Sequence, residues 1–224
     1  MQKLYSKYIK RIMDFVISLI GLIVLSPILL ITAIAIKIDS KGPVLFKQER
    51  IGKEGKVFKI YKFRSMIVGA ESKGSKNYSF KGDPRVTRVG RVIRATSIDE
   101  LPQFINIIKG EMSIIGPRPV LTYFPCTYDK YTNEQLRRFE VLPGVTGLAQ
   151  INGRKEIPWD KRIEYDVEYV NKISLWLDIK IFFKTIYNVL FMKDNINTIK
   201  TDQNIAKNDK KMDSEKKELE KEEC

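Results

Sequence analysis

The chain has 224 residues, 43% of them hydrophobic and 30% charged, which is the composition of a folded protein of one domain, two at the outside. Its 40 Lys and Arg against 27 Asp and Glu give a net charge of +13, so its partners should be polyanions: nucleic acid, anionic lipid or phosphorylated substrates. It has no histidine and two cysteines, Cys126 and Cys224, which excludes Ser-His-Asp and Cys-His catalysis, His-containing or four-cysteine metal sites and a disulfide framework.

Carboxylates, cations and a hard metal ion remain as the chemical groups of any active site, in a reducing compartment. Phe15–Ile36 is a run of 22 residues without a charge. As a helix it would be about 33 Å long, enough to cross the hydrocarbon core of a bilayer. It is too long for the apolar region of a signal peptide, and no polar face interrupts it as one would in a soluble helix. Lys3, Lys7, Lys10 and Arg11 precede the run, while Lys37, Lys41, Lys47, Arg50 and Lys53 follow it. Cations on both flanks pull both ends to the cytoplasm, which one straight crossing cannot satisfy. Pro27, near the middle, lacks an N–H, and Ser26 beside it can bond a freed carbonyl. Residues 1–39 are therefore predicted to form a re-entrant membrane anchor kinked at Ser26-Pro27; a single span is the alternative.

Residues 40–193 read as one cytoplasmic domain. Val44–Gln48 and Val57–Phe63 are rich in β-branched and aromatic residues and read as strands, with Gly52 and Gly55 marking the turn between them. Residues 68–81 are polar and read as a mobile loop. Helical pattern covers Ile98–Ile108, Asn133–Glu140 and Trp159–Asn171. In 174–192, Leu175, Ile179, Phe182, Phe183, Ile186, Val189 and Leu190 recur at helical spacing. Such a helix either packs on the core or lies along a membrane surface. Residues 194–224 form a charged tail. From Lys200 onward it holds seven Lys against eight Asp and Glu, with too few apolar residues to offset its ordering, so it is predicted to be disordered. The basic excess belongs to the rest of the chain.

Four clusters invite a chemical reading. Arg94–Gln103 contains Ser97 and Glu100 at capping-box spacing, or alternatively Asp99 as the cap with Pro102 in the first turn. On either reading the adjacent carboxylates Asp99 and Glu100, with Arg91 and Arg94 close by, suit a phosphate and metal site: one carboxylate can attack phosphorus while its neighbour holds Mg²⁺. Gly116-Pro117-Arg118-Pro119 fixes one guanidinium between prolines, as a diphosphate would require. Pro143–Arg154 combines three glycines with Gln150, Asn152 and Arg154 as donors for a nucleotide. In Lys59–Arg64, strand alternation would put Lys62 and Arg64 on one face. There is no Walker loop and no dinucleotide-binding glycine motif.

Taken in this order, together with Arg11–Phe15, Ser26-Pro27, Tyr61–Met66, Asp83–Thr87 and Ser97–Gln103, these clusters closely resemble the small monotopic phosphoglycosyl transferases, the bacterial initiating sugar transferases. The resemblance runs from about Lys10 to Met192 and is expected to leave no room for the extra membrane domain of larger members. It implies an α+β, mainly helical fold with a re-entrant N-terminal helix and amphipathic helices along the cytoplasmic face of the bacterial inner membrane. It also implies transfer of a phosphosugar from a UDP-sugar to undecaprenyl phosphate, with release of UMP. Asp99 would form a covalent phosphosugar intermediate, Glu100 would ligate Mg²⁺, and Lys62, Arg94, Arg118 and Arg154 would neutralise phosphates or hold the nucleotide. The expected partners are the UDP-sugar, the polyprenyl phosphate and inner-membrane lipids, not nucleic acid. The identity of the sugar, the glycan pathway and the oligomeric state, a homo-oligomer included, stay open. A different class of reading, a non-catalytic basic protein binding anionic lipid or nucleic acid at the membrane surface, explains the charge but gives Asp99, Glu100 and Gly116–Pro119 no task.

Overall fold

The computed structural model describes residues 4–70, 82–123, 125–153 and 157–191. The charged tail and most of the polar loop read at 68–81 lie outside the described residues. A π-helical turn, Tyr5–Ile9, runs into α1 (Lys10–Val24), and α2 (Ser26–Asp39) follows after a single residue, Leu25. The two helices meet at a bend of 62°. Among the described residues no single helix is long and apolar enough to cross a membrane; only this bent pair meets the requirement together. The cause of the break is local. Pro27 has no N–H to offer the carbonyl of Ile23, four residues back. The Ser26 hydroxyl donates to that same carbonyl at 2.7 Å, so the expected support of the bend by Ser26 is present.

The N-terminal helix pair buries polar residues and exposes apolar ones. α1 buries Lys10, Asp14 and Ser18, which share one face at i, i+4 and i+8, and exposes Ile12, Ile20, Ile23 and Val24. α2 exposes Ile28, Leu30, Ile31, Ile34 and Ile38. A contiguous apolar surface of this kind marks contact with lipid or a partner.

Among the polar contacts that bind the N-terminal helices to the body, three lie at helix ends. Arg11 donates to the carbonyls of Ile107 and Ile108 (2.6 and 3.2 Å), in the last turn of α4 (Gln103–Lys109). Asp39 accepts from the Val89 N–H at 3.0 Å, at the start of α3 (Arg88–Ala95), where Thr87 caps Gly90. Arg64 donates to the carbonyls of Ser40 (2.7 Å) and Lys41 (2.8 Å), closing the end of α2. In every case the charge complements the helix dipole and satisfies groups that a helix end leaves free. The position of Arg64 corrects the expected strand face: β2 ends at Phe63, so Arg64 leaves the alternation and is buried under α2 instead of standing beside Lys62.

The sheet is small. β1 (Leu45–Ile51) and β2 (Val57–Phe63) form an antiparallel hairpin from Leu45↔Phe63 to Ile51↔Val57, with Glu54 and Gly55 at positive φ in its turn. β4 (Val120–Leu121) adds antiparallel to the end of β1, which explains why β1 runs three residues beyond the expected end at Gln48. β3 (Ser113–Ile115) pairs separately, in parallel, with β5 (Gly144–Thr146). The remaining α-helices among the described residues are α5 (Asn133–Leu136), α6 (Leu148–Ile151), α7 (Trp159–Lys172) and α8 (Leu175–Leu190). The core is divided among several small clusters. One joins Ile115, Ile151, Tyr169 and Ile181; another joins Phe58, Ile60, Ile107 and Met112 beneath β2 and α4.

α8 turns its apolar stripe outward. Leu175, Phe182, Phe183, Ile186 and Leu190 point outward, and Trp176 is 76% exposed. Asp178, Ile181 and Asn188 face the protein. Packing of the stripe on the core is therefore excluded for all but the half-buried Val189.

Candidate active site

Asp99 and Glu100 lie on a single 3₁₀ turn, Ile98–Glu100, between α3 and α4. Neither capping arrangement expected from the sequence forms here. The Ser97 side chain caps nothing, Glu100 is engaged elsewhere, and Pro102 occupies the position just before α4. The physical reason is Pro102. It cannot donate to Ile98, so the chain advances by i→i+3 bonds (Glu100 to Ser97, Leu101 to Ile98, Phe104 to Leu101, Ile105 to Pro102) until Gln103 starts α4. The two carboxylates thus sit on a tight turn instead of in a continuous helix over 98–108.

Lys62 reaches the turn from β2 and Arg118 from the Gly116–Pro119 loop. Lys62 Nζ lies 2.7 Å and Arg118 Nη2 3.0 Å from the same atom, Glu100 Oε1. Burial opposes the charge on Glu100, but these two cations outweigh it and hold its carboxyl well below the usual carboxylate range. Asp99 behaves in the opposite way. Burial first, and the neighbouring Glu100 charge second, push its carboxyl up, against the pull of Lys62, Arg94 and Arg118. No hydrogen bond to Asp99 forms among the described residues. Two adjacent carboxyls are thereby driven apart: one is fixed, ionised and cation-bound, while the other is held near the cations without a partner of its own. That separation is the usual sign of divided chemical roles.

The Gly116–Pro119 loop and the Pro143–Arg154 block, read separately in the sequence, are one unit. Gly116 N donates to Thr146 O (2.9 Å) and Gly144 N to Pro117 O (2.8 Å). A Cβ on Gly144 would stand 2.1 Å from Gly116 N, and one on Gly147 would stand 2.1 Å from Gly116 O, so only glycine permits this approach. The contact fixes the loop that carries Arg118. Arg138 holds it from the other side by donating to Arg118 O at 3.1 Å while paired with the buried Asp166 at 2.6 Å.

The other expected site residues are placed as follows. Arg94, in the last turn of α3, acts on Asp99 through its charge and makes no ion pair among the described residues. Gln150 on α6 is buried, and neither its amide nitrogen nor its oxygen has a partner among the described residues. Asn152 is exposed and donates to Leu148 O at 3.0 Å, closing its own helix. Arg154 lies outside the described residues. Sequence reading missed Arg138 and Asp166 altogether. Their signal, a charged residue on the buried face of an amphipathic helix, was present at Asp166 in α7.

The bacterial sugar transferase family matches this chain over residues 5–192. A UDP-glucose:undecaprenyl-phosphate glucose-1-phosphate transferase of Klebsiella pneumoniae is 48% identical over 183 residues, 80% of this chain and 39% of its own length. A UDP-N-acetylgalactosamine-undecaprenyl-phosphate N-acetylgalactosaminephosphotransferase of Aeromonas hydrophila is 47% identical over 82% of this chain and 44% of its own. The chain thus spans about two-fifths of the length of these relatives. An uncharacterized sugar transferase of Bacillus subtilis is 45% identical over 81% of this chain and 87% of its own. By the extent of the family match and by these identities, the chain belongs to the bacterial sugar transferase family.

Proposed function

We propose that the protein is a UDP-sugar:polyprenyl-phosphate sugar-phosphotransferase that works by two displacements at one phosphorus. The observation that carries this reading is the contrast between Glu100, fixed by Lys62 and Arg118, and Asp99, unbonded beside it. In the first step a carboxylate oxygen of Asp99 attacks the phosphorus nearest the sugar. The bond to the UMP oxygen breaks, UMP leaves with the electron pair, and the phosphosugar stays on Asp99. In the second step a phosphate oxygen of undecaprenyl phosphate attacks the same phosphorus, displaces the Asp99 carboxylate and yields the lipid diphosphosugar. Lys62, Arg94 and Arg118 offset the charge of the diphosphate. The names of the K. pneumoniae and A. hydrophila relatives support both substrates.

The residues present fit Mg²⁺. Among the described residues no group of three or more His, Cys, Asp or Glu side chains could hold a metal, so an ion at Glu100 would take its remaining ligands from substrate phosphates and water, as Mg²⁺ commonly does. Both cations bond Glu100 through Oε1, and Oε2 has no hydrogen-bond partner among the described residues. Glu100 would hold the ion, and when bound the ion supplies positive charge to the diphosphate.

The outward apolar faces of α1, α2 and α8 support a monotopic arrangement at the bacterial inner membrane: a re-entrant hairpin bent at Ser26-Pro27, α8 along the interface, and the site on the cytoplasmic side.

The test is intact-protein mass spectrometry on the full chain with Mg²⁺ and a panel of UDP-sugars, without lipid acceptor. One phosphosugar mass should appear with a matching amount of UMP, and it should vanish on addition of polyprenyl phosphate. UMP released only when both substrates are present would replace the covalent step by direct transfer.

A further inference from the structure

The loop that carries Arg118 is held by donors from other parts of the chain. Pro117 and Pro119 have no N–H, so neither can donate a backbone hydrogen bond. Three successive carbonyls serve instead. Pro117 O accepts the Gly144 N–H at 2.8 Å, Arg118 O accepts Arg138 Nη2 at 3.1 Å, and Pro119 O accepts Arg50 Nη1 at 3.1 Å. The first donor is backbone; the other two are guanidinium groups, from the 3₁₀ turn Arg137–Phe139 and from β1. Arg138 is fixed in its turn, because the same Nη2 donates to Asp166 Oδ2 at 2.6 Å. A line of bonds therefore runs from Asp166 through Arg138 to the backbone of Arg118, whose guanidinium ends 3.0 Å from Glu100 Oε1.

Stability alone does not account for the Arg138–Asp166 pair. The two residues are 3% and 2% exposed, and Arg138 Nε and Nη1 and Asp166 Oδ1 have no hydrogen-bond partner among the described residues. Replacing such a buried ion pair by apolar side chains of similar volume is commonly neutral or stabilising. The Arg118 side chain, by contrast, is half exposed, so its placement depends on the backbone that carries it. We infer that Arg138, oriented by Asp166, and Arg50 are positioning residues. They fix the backbone at 118 and 119 so that the Arg118 guanidinium stands ready for the diphosphate, and they act through Arg118 without touching the substrate. This assignment rests on the phosphosugar transfer proposed above, in which Arg118 offsets the diphosphate charge.

The double variant R138M/D166L removes the pair without stranding a buried charge, and R50M removes the hold on Pro119 O. R138M/D166L should melt at or above wild type. Both variants should nevertheless bind UDP roughly tenfold more weakly in calorimetry on the full chain, with kcat/KM for UMP release lowered alike. R118M alone should lose roughly thirtyfold. Adding R138M/D166L or R50M to R118M should weaken binding no further, because the guanidinium they place is gone. A pair that only holds the fold would weaken both backgrounds equally. UDP affinity in folded R138M/D166L equal to wild type overturns the inference, and so does an equal further loss in the R118M background. If R138M/D166L does not fold, R50M decides by the same two readings. A wild type that binds UDP yet releases no UMP from any UDP-sugar overturns the transfer reading instead, and the binding comparisons still decide the positioning role.

Discussion

Lys10 Nζ lies 2.8 Å from Asp178 Oδ2, and both side chains are almost sealed from solvent. The pair joins α1 to α8 across 168 residues of sequence. Tyr5 and Tyr169 add their hydroxyls to the same carboxylate, at 2.7 and 2.8 Å. Asp14, 4.0 Å from Lys10, accepts the Ile114 N–H at the start of the Gly116–Pro119 approach. Two helices whose outer faces are apolar are thus held together by polar groups on their inner faces. Where the outer faces meet lipid, hydrophobic burial between helices weakens as a driving force, and polar pairing gains importance.

Breaking this cluster should be costly because the groups left behind stay buried. Asp178→Asn confronts three donors with one carbonyl oxygen and strips Lys10 of its main counter-charge, so a loss of about 3–5 kcal/mol is expected. Lys10→Met should cost less, since Asp178 keeps both phenol donors. Urea denaturation in detergent or nanodiscs measures both. Losses below about 1 kcal/mol in each would show that the pair adds nothing net.

The hairpin geometry depends on Ile23 O having the Ser26 hydroxyl in place of an N–H from residue 27. Pro27→Ala restores that N–H and removes the ring clash, so the protein should shift toward a straighter anchor. With Cys126 and Cys224 replaced by Ser, single cysteines at Leu4 and Lys41 report sidedness. Both should resist a membrane-impermeant thiol reagent in intact cells, and in Pro27→Ala the first should gain reactivity. Labelling of Leu4→Cys in the otherwise unchanged protein would establish a single span.

α8 offers a direct optical check. The chain has two tryptophans, Trp159 and Trp176, so Trp159→Phe leaves Trp176 as the sole reporter. Trp176 stands on the outward apolar face, and its emission should shift to the blue and be quenched by brominated lipid on binding to vesicles. Water-like emission insensitive to bromine would remove α8 from the membrane surface.

Elements with uninterrupted periodicity were legible in the sequence. β2 has the bounds its alternation indicates, and α7 and α8 match their patterns to within a residue or two. The turn at Asp99 was not, because the period continued through 98–108 while the missing N–H of Pro102 locally overrode it. Amphipathicity likewise located the stripe of α8 but carried no sign for which face is wet. Within the site, Lys62, Glu100 and Arg118 are brought together as their motifs suggested, whereas Arg64 is not. Two residues apart on a strand share a face only while the strand lasts, and this one ends at Phe63. Contacts such as Lys10 with Asp178 or Arg138 with Asp166 join distant helices, and no local pattern could reveal them.

The two carboxylates should fail in different ways when altered. Asp99→Asn preserves shape but removes the attacking oxygen charge, so no phosphosugar adduct should form at any Mg²⁺ concentration. Glu100→Gln leaves Asp99 in place. It removes the negative charge that Lys62 and Arg118 share and weakens the hold on Mg²⁺, which prefers a charged oxygen, so adduct formation should slow by roughly a hundredfold and recover in part at high Mg²⁺. Lys62→Met separates the cation from the metal. It removes one of the two partners of Glu100 Oε1 and a counter-charge for the diphosphate, and its defect should not respond to Mg²⁺. Intact-protein mass spectrometry over a Mg²⁺ titration distinguishes the three. An Asp99→Asn protein that still gains the phosphosugar mass would place the covalent bond on another residue. A Glu100→Gln protein as indifferent to Mg²⁺ as Lys62→Met would assign Glu100 to ordering the cations rather than to the metal.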